Sequence, residues 1–98
     1  MIEHVVLIKW KAETPADERE GILQQAILLK EQILGIISFH AGHNISSRSL
    51  GFDAALLGVF VDRDSLAAYG PHPDHQRLAT RLTAAAEQLL VVDFEPLE

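Results

Sequence analysis

Ile2-Glu3-His4-Val5-Val6-Leu7-Ile8-Lys9-Trp10 is the stretch that decides the fold. Alternation puts His4, Val6, Ile8 and Trp10 on one face of a strand, and Val5, Leu7 and Lys9 on the other. Both faces are mostly apolar, as in a central strand covered on both sides. Working outward, Thr14 reads as an N-cap, Pro15 as the first helical position and Asp17 as the acid of a capping box. Ile22, Ala26, Leu29 and Ile33 then recur at helical spacing, widened by Leu23, Ile27 and Leu34, up to a stop at Gly35. One helix is therefore predicted over residues 15–34.

The rest of the chain repeats the pattern. Residues 36–46 and 52–62 read as strands joined by the polar segment Ser46 to Gly51. A short helix is predicted over 64–69, and Gly70-Pro71-His72-Pro73 breaks the chain. A longer helix runs from Pro73 to Gln88, with Leu78, Leu82, Ala85 and Leu89 on one stripe, and Leu90 to Glu95 forms the last strand. The order is strand, helix, strand, strand, helix, strand. That is an α+β, ferredoxin-like βαββαβ arrangement, read as one domain over residues 1–98.

The chain has 98 residues, of which 48% are hydrophobic. A domain of this size buries about two-thirds of its unfolded surface and is marginal alone. The runs Val5 to Ile8, Ile33 to Ile37, Ala54 to Val61 and Leu89 to Val92 exceed what two layers need. The sheet face left without helices must meet something, and an identical sheet is the simplest partner. A homodimer is expected.

Eight Lys and Arg are scattered among fourteen acids, giving a net charge of −6 and a pI near 5.2. No basic stripe exists to neutralise phosphates, which argues against nucleic acid as a partner. An anionic membrane surface is disfavoured for the same reason. No apolar run approaches the roughly 18 residues of a membrane span, and no secretory signal opens the chain, so the expected compartment is cytoplasmic. Cysteine is absent, which removes disulfides, thiolate metal sites and a Cys nucleophile.

Tyr69 and His75 are the candidate catalytic residues. Pro73 opens a helix and leaves His75 in its first turn, with Leu78 and Leu82 three and seven residues on, so the imidazole lies beside the apolar stripe facing the sheet. A neutral imidazole beside a phenol can remove a proton alpha to a carbonyl while the phenol stabilises the oxyanion. The plainer reading gives His75 a backbone carbonyl as partner and makes Tyr69 a core residue with its hydroxyl at the surface. His4, on the helix-facing side of its strand, joins them as pocket lining, and Ile8, Leu23, Ile27 and Leu78 are expected as walls. A lone histidine on an apolar face is more often a satisfied core residue.

Two His-x-x-His pairs raise the question of a metal. Residues three apart on a strand point to opposite faces, so His40 and His43 do not chelate together. His72 and His75 flank a proline break with only Asp74 near. The reading calls for no metal and no cofactor.

In order and spacing, the segments Ile2 to Trp10, Gly42-His43-Asn44, Gly51-Phe52-Asp53, Tyr69-Gly70-Pro71-His72-Pro73-Asp74-His75 and Val91-Val92-Asp93-Phe94 resemble the stress-responsive A/B-barrel family. The Tyr-x-x-His-Pro-x-His segment is the most specific of them. The resemblance implies a homodimer whose two sheets pack face to face into a barrel. Plant members are associated with stress tolerance, and one is a polyketide cyclase acting on a linear β-keto acid through a tyrosine and a histidine that match Tyr69 and His75. Where that cyclase lines its pocket with aromatics, this sequence has Ile22, Leu23 and Ala26, and Ala54 stands at a polar position. The implied function is binding of a small, mostly apolar carbonyl compound, with cyclase, lyase or isomerase chemistry. One alternative is a non-enzymatic stress or stability protein. Another is a haem or quinol monooxygenase, since related A/B-barrel families include such enzymes.

Overall fold

The computed structural model describes residues 1–97. Along it run β1 (Ile2–Trp10), α1 (Ala16–Ile27), α2 (Leu29–Gln32), β2 (Ile36–His43), β3 (Ala54–Phe60), α3 (Arg63–Tyr69), α4 (Pro73–Ala85) and β4 (Ala86–Phe94). The strands pair antiparallel in the order β2-β3-β1-β4, so β1 is central, as its two apolar faces require. This is the expected ferredoxin-like α+β fold.

Burial alternates along β1 with period two. Ile2, His4, Val6, Ile8 and Trp10 are buried, and the residues between them are half-buried. The buried set joins Leu56 and Phe60 of β3, Ile22 and Ala26 of α1, and Leu78 and Leu82 of α4 in one core. Each Val, Leu, Ile or Phe side chain among them contributes about 1.5–3 kcal/mol by leaving water. The opposite sheet face carries Val5 and Leu7, paired with Leu57 and Ala55 on one side and with Val92 and Leu90 on the other. No helix covers that face, and Leu90 and Val92 are about half exposed.

Four local readings are corrected. The helix predicted over 15–34 is two helices that meet at Leu28, where Glu31 N–H donates to Leu28 O three residues back. No Gly or Pro marks the place, and Leu34 ends up 95% exposed rather than on the buried stripe. Thr14 is not the cap. Pro15 takes that position in extended geometry, and the buried Thr14 hydroxyl instead donates to Ala85 O, 2.9 Å away, at the end of α4. The long helix stops at Ala85, not Gln88, because β4 pairs with β1 along nearly its whole length, down to Trp10 against Ala86. The β2–β3 hairpin has a longer loop than expected, residues 44–53. Its first turn is closed by Asn44, whose side chain accepts from Ser46 N–H and donates to Ser46 O.

A two-pronged ion pair ties α4 to α1. The Arg81 guanidinium donates to both Glu18 carboxylate oxygens, at 2.8 and 2.7 Å, and to Gln25 Oε1 at 2.8 Å. The Arg81 hydrogen bonds hold the Glu18 carboxyl below its ordinary value of 4.5. A carboxyl depressed in the folded state adds stability that is present above its unfolded pKa and lost as pH falls through the folded one. Glu18→Gln is therefore expected to lower the melting temperature slightly at neutral pH, since a largely solvent-exposed pair is worth little, and to flatten its fall below about pH 4.5 by the same amount, so that the two proteins converge in acid. A pH series of thermal melts checks this, and parallel acid limbs in the two proteins would refute it.

Candidate functional site

The break at Gly70-Pro71-His72-Pro73 builds the site. The Tyr69 end of α3 is followed within four residues by α4, whose start is written in local chemistry. His72 Nδ1 accepts from Asp74 N–H at 3.1 Å, and Pro73 fills the first helical position, where a missing N–H costs nothing. His75, in that first turn, is thereby set beside Tyr69, with ring centroids 4.2 Å apart and planes tilted by 47°. Its Nδ1 lies 2.8 Å from Gly70 O. A carbonyl only accepts, so Nδ1 carries the hydrogen and, in the neutral ring, Nε2 carries the lone pair.

Tyr69 is 3% exposed and sits among aromatic rings, edge-on to Phe60 at 4.9 Å and to His4 at 5.6 Å. Burial pushes its phenol well above the ordinary value, and the negative charge of Asp93 acts in the same direction. The hydroxyl therefore stays protonated at any pH the protein meets and can only donate to a bound anion. Gly58 lies under the same rings. A Cβ there would come within 2.8 Å of Phe39 and 3.1 Å of Phe60, so the absence of a side chain lets the aromatic cluster close beneath Tyr69.

These groups open onto a cavity of about 370 Å³ between α3, α4 and the β1–β4 side of the sheet. His4, Tyr69, His75 and Asp93 supply its polar lining, with Thr83 at one side. Val6, Leu56, Leu78, Leu82, Leu89 and Val91 supply the apolar walls. A few polar groups converging in an apolar concavity of this size is the usual form of a small-molecule site. A larger depression, of about 520 Å³, lies by Leu7, Leu90 and the β2–β3 loop, and its histidine, His43, is hydrogen-bonded to Glu20 at 2.9 Å. It lacks the paired imidazole and phenol that make the first cavity chemically interesting.

Of the residues expected from sequence, His4, Tyr69, His75 and Leu78 come together on this cavity. Ile8, Leu23 and Ile27 do not. Ile8 is wholly enclosed in the core, Leu23 is buried beneath α1, and Ile27 is 38% exposed. For Leu23 and Ile27 the reason is that α1 packs chiefly over β2, at the far end of the strand order from β4. Asp93 was not expected as a site residue. Its signal was an acid in an otherwise apolar terminal run, two and four residues from Val91 and Leu89 on the same strand face.

Among the described residues, no group of three or more His, Asp or Glu side chains is gathered as a metal site. Nor is any helix of the described residues long and apolar enough to cross a membrane.

The stress responsive A/B barrel domain matches residues 2–96. The chain belongs to that family. Within it, the stress-response A/B barrel domain-containing protein At5g22580 of Arabidopsis thaliana is 30% identical over 95 residues, spanning 94% of this chain and 83% of its own. A dimeric ferredoxin-like protein of unknown function from Jannaschia sp. CCS1 superimposes with a TM-score of 0.85 at 28% identity, covering 97% of this chain and 98% of its own. A hydroxynitrile lyase from Passiflora edulis shares the fold, with a TM-score of 0.88 at 16% identity, over 95% of this chain and 90% of its own. In this A/B-barrel chain the first-helix positions Ile22, Leu23 and Ala26 belong to the core, and the cavity takes its aliphatic wall from α4 and the strands β1, β3 and β4 instead.

Proposed function

We propose that the chain works as a homodimer, sheet facing sheet, and that each subunit binds one small, mostly apolar carbonyl compound in the cavity under α4. There His75 Nε2 removes a proton alpha to the carbonyl, and the Tyr69 hydroxyl donates to the enolate oxygen that forms. The reaction class is cofactor-independent proton transfer, as a cyclase, lyase or isomerase requires. The observation that carries this reading is the hydrogen bond from His75 Nδ1 to Gly70 O, which leaves the basic nitrogen free in a residue lining the cavity. The permanently protonated Tyr69 beside it supplies the complementary donor. A hydroxynitrile lyase built on the same fold shows that the scaffold accommodates lyase chemistry. The dimer is supported by the uncovered apolar sheet face and by the dimeric neighbour.

The test is a thermal-shift screen of short ketones, β-keto acids, aromatic acids and lactones, run on the wild type and on His75→Ala. A ligand of the cavity at about a hundredfold over its dissociation constant is expected to add about 2–3 kcal/mol of apparent stability. The gain should shrink in the variant. If no carbonyl compound shifts the wild type, the reading falls, and the chain stands as a non-enzymatic stress protein whose property is its dimer.

A further inference from the structure

His4 and Asp93 meet across the β1–β4 ladder, where they are directly paired in register. His4 Nδ1 lies 2.5 Å from Asp93 Oδ1, and both residues line the cavity. His4 is 8% exposed, while the Asp93 side chain keeps 40% of its surface. A carboxylate only accepts, so Nδ1 of His4 donates, and the lone pair of the neutral ring is fixed on Nε2. His75 has the same tautomer, set by a different acceptor. Tyr69 is neighbour to both rings, at 5.6 and 4.2 Å. The cavity thus holds two imidazoles with free basic nitrogens and one phenol adjacent to both, and only His4 has a carboxylate behind it.

We propose that Asp93 is a positioning residue that makes His4 a second proton acceptor of the cavity, beside the His75 assigned above. When His4 acts, a substrate C–H bond breaks and its proton forms a bond to His4 Nε2. The electron pair stays on the substrate as an enolate whose oxygen accepts from the Tyr69 hydroxyl. The positive charge now on His4 faces the Asp93 carboxylate, which offsets the cost of an imidazolium on a largely buried ring. Returning the proton to carbon restores the starting state. This rests on the cavity being a proton-transfer site, and it adds that proton abstraction is not confined to His75.

The experiment has two arms. In the free protein, the long-range ¹⁵N–¹H spectrum of the imidazoles at about pH 8.5, some two units above the ordinary histidine pKa, should show His4 protonated at Nδ1. The Nδ1–H form should persist in Asp93→Asn, whose side-chain oxygen still accepts, and be lost in Asp93→Leu. In D₂O, with phenylacetone as probe, His75→Ala should retain α-proton exchange about tenfold or more above that of free imidazole. Adding Asp93→Leu or Asp93→Asn to His75→Ala should bring it down to the free-imidazole rate. Asp93 lies on a half-exposed edge strand, and the isosteric Asn variant keeps the test valid should the Leu variant fold poorly. If His4 is protonated at Nε2 in the wild type, or if His75→Ala already exchanges no faster than free imidazole, the second acceptor is refuted while the role of His75 stands. If the wild type itself exchanges nothing, both readings fall together.

Discussion

His75→Ala is expected to lower the α-proton exchange of a neutral ketone such as phenylacetone by about 10²–10⁴-fold, the usual contribution of a positioned general base. Binding should be far less affected, because the apolar walls of the cavity remain. Tyr69→Phe should cost about 10–10³-fold by removing the one donor placed for the enolate oxygen. His75→Ala is a clean test because its loss strands nothing. Gly70 O also accepts from Gln76 Nε2, at 2.9 Å, so that carbonyl keeps a partner when the imidazole is gone. The measurement is deuterium incorporation followed by proton NMR, with melting temperature as the control for folding. Equal exchange in wild type and His75→Ala would remove His75 from the chemistry and leave it as the carbonyl-bonded structural histidine of the plainer reading.

That outcome turns on a distinction the sequence could not make. The positions of Tyr69 and His75 were legible because Gly70-Pro71-His72-Pro73 is strong local punctuation, and proline at the helix start fixes the next turn. The central place of β1 and its alternation were legible for a similar reason, since period-two patterning survives any detail of packing. What failed needed knowledge of which elements touch. Leu23 and Ile27 have the right periodicity for a wall, but α1 lies over β2 and the cavity opens by β4. Thr14 has the right chemistry for a cap, but its hydroxyl is drawn to Ala85, 71 positions away. Asp93 escaped notice because its meaning lies in His4, across a ladder that joins the two ends of the chain.

The uncovered sheet face yields the second large effect. Val5, Leu7, Leu57, Leu90 and Val92 form a contiguous apolar surface on the three neighbouring strands β3, β1 and β4. Leu57 sits opposite Val5 near the middle of it. In a two-fold dimer each substitution is made twice at one interface, so its cost doubles. Truncating a buried leucine costs about 2–5 kcal/mol, and placing an ammonium group there adds the burial of an unpaired charge. Leu57→Lys is therefore expected to weaken the dimer by at least about 10³-fold, since each 1.4 kcal/mol is a factor of ten. The helix-side core, which Leu57 does not enter, is left intact. Sedimentation equilibrium over a range of concentrations reads the change directly: the wild type should be a dimer throughout, and the variant should pass to monomer as it is diluted. A variant that stays as firmly dimeric as the wild type would place the interface elsewhere, and this apolar face would then need a different occupant.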